Sequence, residues 1–216
     1  MKIASKLMML LAVAIVPLVV AADPLPIIGT GTFGSFTGTF DYNATSSTEA
    51  TLVITLTNTS PAANGGYITG FAFNNPDNLI TDVTDFQTDY PSFEWIFAND
   101  GVSGEPFGDF DAGAAIGGVL LGGGSPTSGI GVGETGTFTF TFSGTMLDTL
   151  TSASFFSTFS VGGAESAAFL VRFRGFEDDE SDKVPGNVIP EPATMLLMGT
   201  GLTTLAGIVR RRKMKK

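Results

Sequence analysis

The sequence predicts an all-β fold: a single antiparallel β-sandwich, jelly-roll or Ig-like, over residues 23–176, flanked by an N-terminal signal peptide and a C-terminal transmembrane helix. Three observations carry the sandwich. Two stretches, 51–58 and 135–143, alternate apolar and polar residues with a period of two. Seven or more short strand-like runs are separated by Gly, Asn and Pro turns. No helical period of useful length lies between residues 23 and 190. Alternation with turns at short intervals is the pattern of a sandwich.

The first strand is expected over 35–42, where Phe36 and Phe40 stand among small polar residues. In 51–58, Leu52, Ile54 and Leu56 share one face while Thr51, Thr55 and Thr57 share the other. That is a half-buried strand made of β-favouring residues. The Asn, Pro and Gly of 58–66 make a turn. Tyr67, Thr69, Phe71 and Phe73 then alternate in a second strand. These two strands are expected to be neighbours joined by a loop of about nine residues.

Residues 79–113 hold short apolar pieces among Asp, Asn and Gly and show no clear period. The glycine-rich stretch 117–133 reads as an ordered loop, because Val119, Leu120, Leu121 and Ile130 need burying. In 135–143, Phe138, Phe140 and Phe142 alternate with Thr137, Thr139 and Thr141, an aromatic core face backed by a solvated threonine face. Strands are expected near 153–161 and at 167–173. The latter has Phe169, Val171 and Phe173 inward, with Leu170, Arg172 and Arg174 opposite. From Glu177 an acidic run leads to Pro185, Gly186 and Pro190, so 177–189 reads as an acidic, extended spacer.

Charge is distributed unevenly. The whole chain has a net charge of −10, yet its basic residues lie at the two ends except for Arg172, Arg174 and Lys183. The middle therefore carries about −17 and repels nucleic acid and anionic lipid headgroups. There is no cysteine and no histidine. Without them no Ser-His-Asp or Cys-His nucleophile and no Cys/His zinc site can be built. Hydroxyls, amides, carboxylates and two arginines remain.

The ends read as addresses. Lys2 and Lys6 precede an apolar run that closes on Ala21 and Ala22, the pattern of a secretory signal peptide over 1–22. At the other end, 193–209 is uncharged, long enough for a short transmembrane helix of roughly 25 Å. Arg210, Arg211 and Arg212 open a basic tail, 210–216, that cannot enter hydrocarbon and acts as the membrane stop. Pro190 and Pro192 disfavour helix just upstream.

Pro190, Glu191 and Pro192, the apolar run with its glycines and the arginine cluster together resemble the PEP-CTERM sorting signal of Gram-negative bacteria, over 190–216. The resemblance implies recognition by an exosortase and processing near Pro190–Pro192. It also implies a setting of extracellular polysaccharide, in biofilm or matrix. Stretches 58–66, 107–113 and 172–177 are similar to other proteins bearing this tail, and that likeness carries no activity. With the signal peptide engaging the Sec translocon, the expected course is export, a transient inner-membrane anchor, and then the cell surface or matrix.

Within the middle domain, Asp100, Glu105, Asp109 and Asp111 could ligate Ca²⁺, which takes six to eight oxygens. Turn-forming Asp is the plainer account. Otherwise no cofactor is expected. Tyr90, Phe93 and Trp95 could line a sugar-stacking platform, or pack in the core as aromatics generally do. Arg172 and Arg174 could hold a carboxylate bidentately, or pair with the domain's own acids. A carboxylate pair could serve a glycan hydrolase, but with so many acids some pair always qualifies. The expected role is structural or adhesive and not enzymatic, with a carbohydrate-binding module around Trp95 as the alternative.

Overall fold

The computed structural model describes residues 24–177 and 180–189. The expected signal peptide over 1–22, Pro190, Glu191, Pro192, the helix expected over 193–209 and Arg210, Arg211 and Arg212 lie outside the described residues. Among those described, no helix is long and apolar enough to cross a membrane.

The strands are β1 (Leu25–Thr30), β2 (Ser35–Ala44), β3 (Glu49–Asn58), β4 (Gly65–Phe73), β5 (Ile80–Thr88), β6 (Phe93–Ser103), β7 (Asp109–Ile116), β8 (Thr135–Gly144), β9 (Phe169–Phe176), β10 (Ser181–Pro185) and β11 (Asn187–Val188). They form two antiparallel sheets. One has six strands in the order β11-β1-β2-β3-β8-β5, the other five in the order β10-β9-β4-β7-β6. The expected antiparallel β-sandwich is the observed fold.

Alternation explains the sandwich core. Phe36, Phe40, Leu52, Ile54, Phe138 and Phe140 of the first sheet are fully buried, as are Phe71, Phe73, Phe169 and Phe173 of the second. Their rings meet across the gap. Phe71 lies 4.8 Å from Phe138, and Phe40 meets Phe73 edge-on at 6.1 Å. Edge-to-face contacts of this kind add about 1 kcal/mol each beyond area burial. On the opposite face of the first sheet, Thr57 sits across from Thr37 and Thr135, and Thr55 across from Thr39 and Thr137. The second sheet is apolar on its outer face too. Ala72, Val102, Phe110, Leu120 and Leu170 form a smaller cluster there, under loops. That is why Leu170, expected on the face opposite the core, is fully buried.

Four expectations need correction. β3 and β4 are consecutive but belong to different sheets, so 59–64 crosses the sandwich and does not close a hairpin. Residues 152–156 form a short helix, α1 (Ser152–Phe156), in place of the strand expected near 153–161. The Thr151 amide donates to Ser154 Oγ at 3.1 Å, turning the chain into that helix. Its Phe155 and Phe156 pack on Phe40 at 5.0 and 5.2 Å. Of the apolar residues expected to be buried in the glycine-rich loop, Leu120 and Ile130 are, but Val119 and Leu121 are exposed.

The fourth correction concerns 177–189. Residues 181–185 pair with β9 and 187–188 pair with β1, so this segment completes both sheets. Val184 is fully buried. One strand runs down the second sheet, steps across at Gly186, and continues in the first. The register places Leu25 and Ile189 at the same end of the sandwich, where the Ile189 amide donates to the Pro26 carbonyl at 2.9 Å. Loops 31–34, 59–64, 89–92 and 117–134 gather at the other end.

Candidate functional site

The carboxylates proposed for metal do not converge. Asp109 opens β7 and Asp111 follows two residues later, and only Asp111 is buried. Its Oδ2 accepts the Asn75 amide and its Oδ1 accepts the Asp100 amide, both at 2.7 Å. Both oxygens are thereby committed to holding two loops. Asp100 sits at φ 50° in the excursion that interrupts the β6–β7 ladder between Phe97 and Val102. Glu105 is exposed in the turn between β6 and β7. Among the described residues no three acidic side chains come together as a metal-holding group.

The aromatic candidates separate in the same way. Phe93 is buried, 4.9 Å from Phe138. Tyr90 packs edge-on against Phe93 at 6.2 Å and donates its hydroxyl to Glu134 Oε2 at 3.2 Å. Burial, the Glu134 charge and that hydrogen bond push its pKa to about 12. Glu134 also accepts the Gly131 amide, so Tyr90 pins the loop ahead of β8. Of these three, Trp95 is the exposed one, at 43%, on the edge strand β6. The three residues are not one platform.

The arginines do come together. Arg172 and Arg174 lie two apart on β9, and Lys183 of β10 is the direct cross-strand partner of Arg172. Residues that face each other across an antiparallel pair share a face of the sheet. Arg172 donates to the Leu120 carbonyl, and Arg174 to the carbonyls of Gly122 and Gly123. The guanidiniums thus clasp the glycine-rich loop from beneath, with backbone carbonyls in place of the expected acidic partner. Burial lowers the Arg172 pKa and the neighbouring Arg174 charge adds to it. Burial likewise lowers that of Lys183, helped by Arg172 and opposed by Glu105. Among the described residues Arg172 Nε is buried without a partner. Lys183 is not among the site residues expected from sequence, although its rarity as a cation in this domain is a usable signal.

Surface hollows lie between Phe33, Asn64, Phe176 and Glu180 at one end and between Phe156, Phe159, Ala167 and Val188 at the other. Among the described residues neither joins the candidate carboxylates, aromatics or arginines into a single cleft.

The described part of the chain is thus an antiparallel β-sandwich whose candidate side chains mostly fix loops. Residues 188–213 match the family model described as PEP-CTERM protein-sorting motif. The match supports an exported protein sorted by an exosortase, and implies membrane-associated sorting toward the cell surface. No curated protein matches the chain, and no solved structure does.

Proposed function

We propose that this chain is a structural or adhesive protein of the cell surface or extracellular matrix, acting by binding and not by catalysis. In this reading the Sec translocon exports it, the tail holds it briefly in the inner membrane of a Gram-negative bacterium, and an exosortase processes it near Pro190, Glu191 and Pro192. Exopolysaccharide or biofilm is its final setting. The observation that carries the reading is the pairing of the two ends, Ile27 with Val188 and Ile189 with Pro26. A tail leaving at that corner presents the far end of the sandwich, with its cluster of loops, away from the tether. Fractionating the producing cells with and without their exosortase tests it. The expected result is a mature C-terminus lacking Arg210, Arg211 and Arg212, recovered with the matrix only when the exosortase is present. An intact tail in the exosortase-positive strain would sink the proposal.

Trp95 supports a second reading, a carbohydrate-binding module, because a large ring exposed on an edge strand suits sugar stacking. Fluorescence quenching by a glycan, lost in Trp95→Ala, would support it. Unchanged emission across neutral and acidic glycans would remove it.

A further inference from the structure

We propose that the outer face of β9 and β10, built by Arg172, Arg174 and Lys183, is an anion site that takes the carboxylates of an acidic saccharide. The inference rests on the reading that the domain works among extracellular polysaccharide, and it names the ligand class that the domain would hold there.

These three are the domain's only basic residues, and all stand on one face of two adjacent strands. Like charges directly across a ladder are destabilising, and here Arg172 faces Lys183 with Arg174 close enough to disfavour its charge. A domain so rich in acids could have neutralised them, but among the described residues Asp182 is engaged elsewhere, and Glu177 and Glu180 of the turn between β9 and β10 are exposed. Asp182, on the same strand as Lys183, accepts the amides of Phe33 and Gly34 at 2.8 and 3.1 Å. Glu134 holds Tyr90 and Gly131. Among the described carboxylates the exposed Glu105 acts on Lys183, against the charge of Arg172.

The cations are also held in place. Each guanidinium spends an N–H on loop carbonyls, which fixes its plane. A planar guanidinium matches a planar carboxylate, and with Arg172 Nε buried it is Arg174 that is left to present such an edge. Lys183, directly across the ladder from Arg172, supplies a compact third charge. Across the rest of this acidic domain a polyanion is repelled on balance, which leaves these three cations as its favourable contact.

The test uses the full chain, purified in detergent from exosortase-negative cells. It is titrated by calorimetry with oligogalacturonate, with a neutral glucan of equal length, and with sodium acetate. Saturable binding of oligogalacturonate, absent for the glucan and much weaker for acetate, is expected. Lys183→Glu should weaken it by about tenfold or more, the scale of one lost charge-assisted contact. Arg174→Gln should act in the same direction. Thermal melting checks that Lys183→Glu still folds, as it should, because the new carboxylate faces Arg172. Equal binding of both oligomers, or undiminished binding by Lys183→Glu, overturns the site. Sedimentation showing that the same variant abolishes self-association overturns it in favour of a second copy as the occupant. A chain that stays in the matrix while Lys183→Glu stays equally well refutes the site alone. A chain absent from the matrix refutes the reading beneath it.

Discussion

Ile189 donates its amide to the carbonyl of Pro26 at 2.9 Å, so the last described residue is fastened to the first strand. The consequence is that 181–189 is part of the folded unit. Val184 of β10 is fully buried, and burying a valine is worth roughly 2 kcal/mol. Its removal also bares the edges of β9 and β1, and open edges invite aggregation. A chain ended at Phe176 should therefore melt well below one ended at Ile189, and should associate on concentration. Equal melting temperatures would return the segment to the status of a spacer.

Asp111 supplies a second test. Its two oxygens accept two loop amides at 2.7 Å from within the protein. Hydrogen bonds to a charged acceptor contribute about 1.5–3 kcal/mol each. Asp111→Ala should lower stability by about 3 kcal/mol in urea denaturation. Asp111→Asn should cost nearly as much, because its amide nitrogen would face a donor. Excess Ca²⁺ should leave the melting temperature of the parent chain unchanged. A calcium-dependent rise lost in Asp111→Asn would restore the metal reading.

The alkaline limb of stability should be governed in part by Tyr42. Its hydroxyl donates to the Leu147 carbonyl at 2.9 Å, and burial, with the Asp148 charge adding, raises its pKa from 10.0 to about 12. A phenol with a raised pKa holds its proton more tightly folded than unfolded. The stability this confers is complete below pH 10 and is lost as pH climbs toward 12. Tyr42→Phe should cost about 1 kcal/mol at neutral pH and flatten the decline above pH 10. Denaturation midpoints at graded alkaline pH read both effects, and a decline of unchanged steepness in the variant would refute the assignment.

What the sequence disclosed tracks how one-sided each strand is. β3 and β8 have threonines on one face and apolar residues on the other, so their period of two is plain. β5 shows no period of two because two bulges bring Ile80 and Val83 inward with a spacing of three. β6 is an edge strand exposed along much of its length, and its ladder breaks at Phe97. α1 is too short to show a helical period, and its phenylalanines mimic a strand. At the candidate sites, residue types were visible but commitments were not. Nothing local to Asp111 says that Asn75 will claim one oxygen, and nothing local to Arg172 says that the Leu120 carbonyl lies above it. Those partners are 36 and 52 residues away.

Two glycines separate crowding from backbone strain. Gly113 lies mid-strand in β7, opposite Ala72, without a positive φ. A Cβ there would run into the Phe71 carbonyl oxygen and come within 3.0 Å of Ala72 Cα, both backbone atoms that cannot swing aside. Gly133 has φ 80° with nothing within 4 Å of its added Cβ, so only the left-handed conformation resists substitution. Gly133→Ala should cost about 1 kcal/mol. Gly113→Ala must push β4 from β7 at the centre of the sheet and should cost about 3 kcal/mol or more. Urea midpoints of the two variants, measured side by side, decide it. If Gly113→Ala proves no worse than Gly133→Ala, the close packing of β4 on β7 is not what holds that sheet together.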